Sequence, residues 1–272
     1  MKKTIYLNIS IIPQLKNSYL LLAAIFLILS CNSKDKEASQ LLTISTPMDS
    51  ILEHPEMDEL PRDEKIKLLD SLTQILANGS NDTVSRSNII QVANHYFYLN
   101  EIDKYHDVSK QLVAMGDEAN DTLDMARGYQ YIGDYFTDRS IPDSSYFYFT
   151  KAEKLLAETD DRENFGRVKL KKGYLIYKIN DLASSEAIAI QALKIAHEVK
   201  DLTLEYECYN FLSSVLTAQN KYDEAIQYNE KALKTLDEFT DDPQYFTLLK
   251  SQTYNSIGTV FMSKKEFKIA AN

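Results

Sequence analysis

Residues 220–233 read NKYDEAIQYNEKAL. The stretch has the make-up of one turn-and-helix unit. Asn220 suits a helix N-cap, Asp223 falls in the first turn, and Ala225 and Ala232 are small residues set among polar ones that face water. None of these residues is poised for catalysis. Their counterparts recur at a fixed step along the chain. Asn100, Ser140, Asn180 and Asn220 are 40 apart, and so are Leu112, Ala152, Ala192 and Ala232. A third set, Ala93, Gly133, Gly173, Ser213 and Gly258, keeps steps of 40, 40, 40 and 45. Each of its members is followed three residues later by a large apolar residue: Tyr96, Phe136, Ile176, Leu216 and Phe261.

Each set has a physical meaning. A small residue and an apolar one three further on share a helix face, so a neighbouring helix can approach the first and pack on the second. The Asn/Ser set predicts N-caps for the second helix of each unit, with Ser140-Ile-Pro-Asp143 as a capping-box variant and Asp103 and Asp223 repeating the acid. The runs MGDEAND (115–121), ETDDREN (158–164) and FTDDPQ (239–244) break the apolar periodicity and read as stops between units, the last one lengthened. The chain therefore predicts a first helix, a short turn and a second helix, four or five times over.

On these residues the chain resembles a tetratricopeptide repeat protein. NKYDEAIQYNEKAL is similar to the second helix of that motif, with Tyr222, Ala225, Tyr228 and Ala232 at its packing positions. Tyr254 to Phe261 is similar to a first helix. The resemblance covers residues 85–272, and residues 63–78 read as an earlier, decayed second helix that caps the stack. It implies an all-α fold: a right-handed superhelical stack of antiparallel helix pairs, an α-solenoid with repeats of about 40 residues. Lys172 stands where the family prefers leucine, and Tyr105, Ser145 and Ser185 stand where it prefers alanine. Longer repeats of this kind occur in bacterial signalling proteins and in motor light chains. The fifth repeat stops six residues into its second helix, which suggests that the chain is the N-terminal part of a longer protein or a truncated product.

The first thirty residues read as an address. YLLLAAIFLILS (19–30) is an apolar run of about twelve residues, too short to span a bilayer and right for a secretory signal, with Lys2, Lys3 and Lys16 as its positive flank. Ile28 to Cys31, ILSC, resembles a bacterial lipobox, which implies lipidation of Cys31. The other reading of the run is a short uncleaved anchor. Asn32, following the cysteine, favours the outer membrane by the same resemblance, and the charged segment NSKDKEASQ (32–40) resembles surface-export signals of lipoproteins from the Bacteroidetes. The expected organisation is a signal peptide at 1–30, a flexible tether at 31–60 and a repeat domain at 61–272. It places the chain at the cell envelope, lipid-anchored on the periplasmic or surface side of the outer membrane.

Composition fits a soluble globular domain, with 44% hydrophobic and 26% charged residues. Net charge is −10, and beyond residue 30 there are 27 basic against 40 acidic residues. Such a surface repels phosphate backbones, so nucleic acid is an unsuited partner. Cys31 and Cys208 are the only cysteines. With Cys31 lipidated no disulfide framework exists, and Cys208 reads as a buried small hydrophobe.

Chemistry-bearing motifs are missing. His54, His95, His106 and His197 have no ligand spacing, so no metal is expected; no Gly-rich phosphate loop or nucleophile elbow occurs, so no cofactor is expected. The pairs Asp160–Asp161 and Asp241–Asp242 read as solvated turn residues, not catalytic carboxylates. The expectation is a binding module rather than an enzyme. In the family that the chain resembles, first helices line the concave face and bind peptides or partner helices. The resemblance carries this to Asn94, Phe97 and Tyr98; to Arg127, Gln130, Asp134 and Asp138; to Arg167, Tyr174, Tyr177 and Lys178; and to Asn210 and Ser214. Ile90 stands where a chaperone-binding clamp wants lysine, so chaperone recognition is not implied. Two functions follow: an envelope scaffold that binds a partner protein or peptide, or the sensor region of a longer protein ending in a histidine kinase or helix-turn-helix output.

Overall fold

The computed structural model describes residues 59–238 and 243–265, together with Leu52 and Met57. The expected signal segment, Cys31 and most of the tether lie outside these residues. Regular structure among the described residues is wholly helical: α1 (Arg62–Asn78), α2 (Thr83–Tyr98), α3 (Ile102–Ala119), α4 (Thr122–Asp138), α5 (Pro142–Leu156), α6 (Arg162–Lys178), α7 (Leu182–Val199), α8 (Leu202–Ala218), α9 (Tyr222–Leu236) and α10 (Pro243–Ser263). The chain divides into two compact units, Met1–Val108 and Ser109–Asn272, and the division falls inside α3.

In the first unit, Leu68, Leu69, Leu72 and Leu76 of α1 are buried, as are Ile89, Val92 and Tyr96 of α2. The spacing of each group is that of one helix face. The Tyr96 hydroxyl donates to Asp70 at 2.8 Å, and the same carboxylate receives Lys104 through both oxygens at 2.6 and 2.7 Å. The second unit holds α4 to α10. Here α4 packs on α5, α6 on α7 and α8 on α9, and each pair packs on the next. First helices also meet directly, α6 with α8 and α8 with α10. This is the expected helix-pair repeat.

The small-residue set behaves as its spacing predicts: Ala93, Gly133, Gly173 and Ser213 are buried, and Gly258 is half-buried. In the second helices Leu112, Ala152, Ala192 and Ala232 are fully buried. The 45-residue step is equally consistent, because it pairs buried Leu204 with Leu249 and buried Val215 with Val260. Tyr206 ties α8 to α10 by donating to Leu249 O at 3.1 Å. Cys208 is buried as expected, and burial pushes its thiol well above the ordinary range.

The turns correct the sequence reading. Asn100, Ser140, Asn180 and Asn220 are not N-caps; they are left-handed residues, with φ of 58°, 57°, 64° and 61°. The Asn100 amide donates to Phe97 O and the Glu101 amide to Tyr96 O, both at 2.9 Å. The same two bonds recur at the other three positions. This is a Schellman closure of the first helix, in which a left-handed residue lets two orphan carbonyls find donors. Asparagine favours both N-caps and left-handed turns, and that shared preference misled by one residue. Asn120 and Lys200 close second helices in the same conformation, so left-handed residues fall on a 20-residue half-period. The run 115–121 holds the stop between units only at its end: α3 continues to Ala119, Asn120 turns and Asp121 caps α4.

The N-caps are a different set. Asp82, Asp121, Asp161 and Asp201 accept amide bonds from Ser85, Leu123 and Asp124, Asn164, and Leu204, each at the start of a first helix. Asp161 is therefore a cap rather than a merely solvated turn residue. Among second helices, Asp181 caps α7, whereas Ile141 and Lys221 precede α5 and α9 without a side-chain cap.

Lys172, out of character for its position, is buried. Its ammonium donates to Glu153 Oε2 at 2.5 Å, and Lys169 donates to Oε1 of the same residue at 2.8 Å. One carboxylate on α5 thus holds two lysines of α6, and the lysine stem fills the apolar slot while its charge is met. Burial alone would raise the Glu153 carboxyl, but the two ammonium groups outweigh it and hold it below its usual value.

Candidate functional site

The face formed by the first helices of the second unit is built from α4, α6, α8 and α10. Positions seven apart lie two turns along one helix face. Glu207 and Ser214 of α8 are so related, as are Arg167 and Tyr174 of α6. The charged members are mostly committed to each other. Arg167 donates to Asp201 Oδ2 at 2.5 Å and to Glu163 Oε1 at 3.2 Å. Lys171 donates to both oxygens of Asp134 at 2.6 Å, linking α6 to α4. Glu207 makes no hydrogen bond or ion pair among the described residues, although it stands close enough to Arg167, Lys171 and Asp201 to feel their charge. Burial raises its carboxyl above the usual range, Arg167 and Lys171 oppose the rise, and Asp201 adds to it.

Two tyrosines flank this charge. The Tyr174 ring centroid lies 4.1 Å from that of buried Phe211, and Tyr177 meets the same ring edge-on at 5.9 Å. Tyr174 is nevertheless 40% exposed. It seals α6 against α8 with one face and offers the other to solvent. Its phenol is pushed up, first by burial and then by the charge of Glu207.

Beyond Tyr177 a cleft of about 500 Å³ opens between α6, α8 and α10. Its wall carries Ser214, Thr217, Tyr222, Thr259 and Ser263. The helical hydroxyls among these donate to the carbonyl one turn back: Ser214 to Asn210 at 3.0 Å, Thr217 to Ser213 at 2.7 Å, Thr259 to Asn255 at 2.9 Å and Ser263 to Thr259 at 2.9 Å. Tyr222 donates to Asn220 Oδ1 at 2.6 Å. Each proton is turned inward and each oxygen keeps its lone pairs for the cleft.

The residues expected for binding divide as follows. Arg127, Asp134, Arg167, Tyr174, Tyr177 and Asn210 lie on the first helices of the second unit and are at least partly accessible. Arg127 makes no ion pair or hydrogen bond among the described residues. Asn210 donates to Tyr206 O at 3.3 Å and keeps its carbonyl oxygen. Gln130 is a correction: it is buried in α4, on the face turned toward the packing, so it lines no groove. Asn94, Phe97 and Tyr98 are exposed but belong to the first unit, where Phe97 packs on Tyr105 with ring centroids 5.3 Å apart.

Sequence reasoning named Ser214 but missed Glu207 and the other cleft hydroxyls. A signal existed for both. Arg127, Arg167 and Glu207 occupy one 40-residue column, and its sign reverses at the third member. Ser214-Thr217 and Thr259-Ser263 place hydroxyls at helical spacing near two helix ends. Among the described residues no group of histidine, cysteine and acidic side chains could hold a metal, and no helix is long and apolar enough to cross a membrane.

Residues 207–236, which are most of α8 and all of α9, match the tetratricopeptide repeat family. No curated protein matches the sequence. Solved structures are similar in fold. BtubC (BKLC) from P. vanneervenii superposes with a TM-score of 0.66 at 15% identity, over 78% of this chain and 87% of that one. A signal transduction ATPase with numerous domains and a tetratricopeptide repeat sensor, from Pyrococcus horikoshii, gives 0.59 at 16% identity, over 79% of this chain and 33% of that one. A Rap protein complexed with Competence and Sporulation Factor gives 0.57 at 16% identity, over 82% and 60%. The fold is that of a tetratricopeptide-like helical repeat.

Proposed function

We propose that this chain is a non-enzymatic interaction scaffold that binds a partner protein or peptide on its first-helix face and is held at the cell envelope by lipid on Cys31. The observation that carries the binding reading is the cleft between α8 and α10. It is open, partly aromatic and lined by fixed polar groups, while no nucleophile–base pair accompanies it. The complex of a similarly folded Rap protein with a named factor supports the same use of the fold. In this reading residues 1–30 are a lipoprotein signal, 31–60 a tether and 61–272 the repeat domain. A photo-crosslinking side chain placed at Ser214 is expected to trap a discrete partner in cells, whereas the same side chain at the exposed Lys194 of α7 is not. Equal labelling from both sites would defeat the reading. The anchor is tested separately: Cys31→Ala should move the protein from the membrane fraction to the soluble one.

A second reading is favoured by the sensor repeats of the Pyrococcus ATPase: the chain is the sensing region of a longer signalling protein. A membrane helix followed by a kinase or helix-turn-helix segment, encoded beyond Asn272, would establish it.

A further inference from the structure

We propose that the partner presents a basic side chain, lysine or arginine, which seats against Glu207, with the adjoining partner chain lying in the cleft between α8 and α10. This rests on the first-helix face being the binding face, and it adds the chemistry of what that face accepts.

Three observations converge. The first is the charge pattern. Arg167 and Lys171, the cations beside Glu207, are already neutralised by Asp201, Glu163 and Asp134. Two cations thus stand among four carboxylates, and Glu207 is the one of these groups that is unpaired among the described residues. Arg127 sits on α4, two first helices away. Lys178 is exposed at the end of α6, where solvent screens it. Neither offsets a carboxylate set into the wall beside Tyr174.

The second is the direction of the hydroxyls. Five hydroxyl protons at the cleft are spent on protein acceptors. The groups left to donate are the hydroxyls of Tyr177 and Ser256 and the amide of Asn220. A cleft richer in acceptors than in donors suits a ligand that donates, and ammonium and guanidinium groups donate three and five hydrogens and accept none. The third is the aromatic flank. Tyr174 and Tyr177 line the path from Glu207 to the cleft, and their faces attract a cation as well as its alkyl stem.

A negatively charged partner fits none of these features. Its charge would meet Glu207 and outward lone pairs, and the cations beside Glu207, Arg167 and Lys171, are held by protein carboxylates.

The test uses the full chain and three fluorescein-labelled twelve-residue peptides on one Gly/Ser/Ala background. They carry two arginines, two citrullines or two glutamates, and binding is followed by anisotropy. The arginine peptide is expected to bind about tenfold more tightly than the citrulline peptide, the order of a charge-assisted hydrogen bond. Glu207→Gln should remove that advantage and leave citrulline binding unchanged, with folding checked by urea titration. Thr259→Val should weaken both peptides. Two results overturn the proposal while sparing the binding face: citrulline or glutamate peptides that bind as tightly as arginine and are lost in Tyr177→Ala, or an arginine preference that survives Glu207→Gln and so reflects net charge alone. If no peptide binds in any arm, the binding face itself is wrong and the proposal falls with it.

Discussion

Counted in chain order from α2–α3, the second and fourth helix pairs, α4–α5 and α8–α9, meet the same crossing in opposite ways. In the second, Gly133 faces Phe149, and a methyl group on the glycine would overlap the ring. The ring is fully buried in an apolar cluster with Ala126, Ala152 and Val168. Sixteen residues also separate Ser213 from Asn229 in the fourth pair, at the same repeat positions. Both are buried, and the Ser213 hydroxyl and both polar atoms of Asn229 lack partners among the described residues. One crossing is filled by a large ring against no side chain, the other by two small polar groups. Helix spacing in this fold is therefore set by combined volume at the crossing rather than by residue type. The filled crossing has no slack; the polar one carries a desolvation penalty.

Breaking the filled crossing should give the largest effect. Gly133→Leu adds volume where Phe149 leaves none and should destabilise by about 3 kcal/mol, read as a lowered urea midpoint at unchanged m-value. Pairing it with Phe149→Ala should restore part of the loss, since the two changes share one space. An additive double variant would show that the two residues do not share the crossing.

Next in size is the charge cluster between α5 and α6. Glu153→Gln leaves Lys172 buried without the carboxylate that pairs with it, and partial exposure of that carboxylate keeps the expected loss to about 2 kcal/mol. The sign with pH follows from the lowered carboxyl. A group whose folded value is depressed contributes above its unfolded value of 4.5 and loses that contribution as pH falls through the folded value. The native chain should therefore lose stability below about pH 4.5, and Glu153→Gln should flatten that limb of the curve. An unchanged acid limb would place the sensitivity elsewhere.

The columns of small and apolar residues were legible in the sequence because burial repeats whenever helix packing repeats. The crossing chemistry was not. A buried Asn229 and a buried Lys172 look like surface residues by type, and only coordinates show that one lacks a partner and the other holds Glu153. The turns were legible in place and wrong in role, since Asn100 and its equivalents satisfy two rival rules. On the first-helix face, Arg167, Tyr174, Tyr177 and Asn210 are placed by the family resemblance once the period has fixed the register, and all four are at least partly accessible. Gln130 could not be placed this way, because its neighbours Arg127 and Asp134 on the same helix do face outward, and a step of three residues falls about 60° short of a full turn, enough to move a side chain from groove to packing.

The polar crossing can be sharpened by removing its penalty. Asn229→Leu keeps the branching and number of side-chain heavy atoms and deletes two buried polar atoms without partners among the described residues, so it should stabilise by about 1 to 2 kcal/mol. Ser213→Ala should act in the same direction and more weakly. If Asn229→Leu destabilises instead, the amide is satisfied by water within the crossing, and the two pairs are alike in being full.

The smallest effect concerns how the fourth pair is entered. The second pair leaves α5 by a turn of five residues, 157–161, without a left-handed residue; α7 passes to α8 in two, with Lys200 at φ 58°. That conformation crowds a Cβ against backbone, and the lysine side chain is exposed at this position, so its type is not fixed by packing. Lys200→Gly removes the crowding while leaving the Asp201 amide bonded to Ala196 O at 3.0 Å. Glycine also gains freedom in the unfolded chain, which offsets part of the relief. The net should be a gain of about 0.5 to 1 kcal/mol, seen as a raised urea midpoint. Lys200→Val, with a branched Cβ in the same turn, should move the midpoint the other way. Equal midpoints for glycine and valine would mean that α7 does not end in a left-handed turn, and the short entry into the fourth pair would need another explanation.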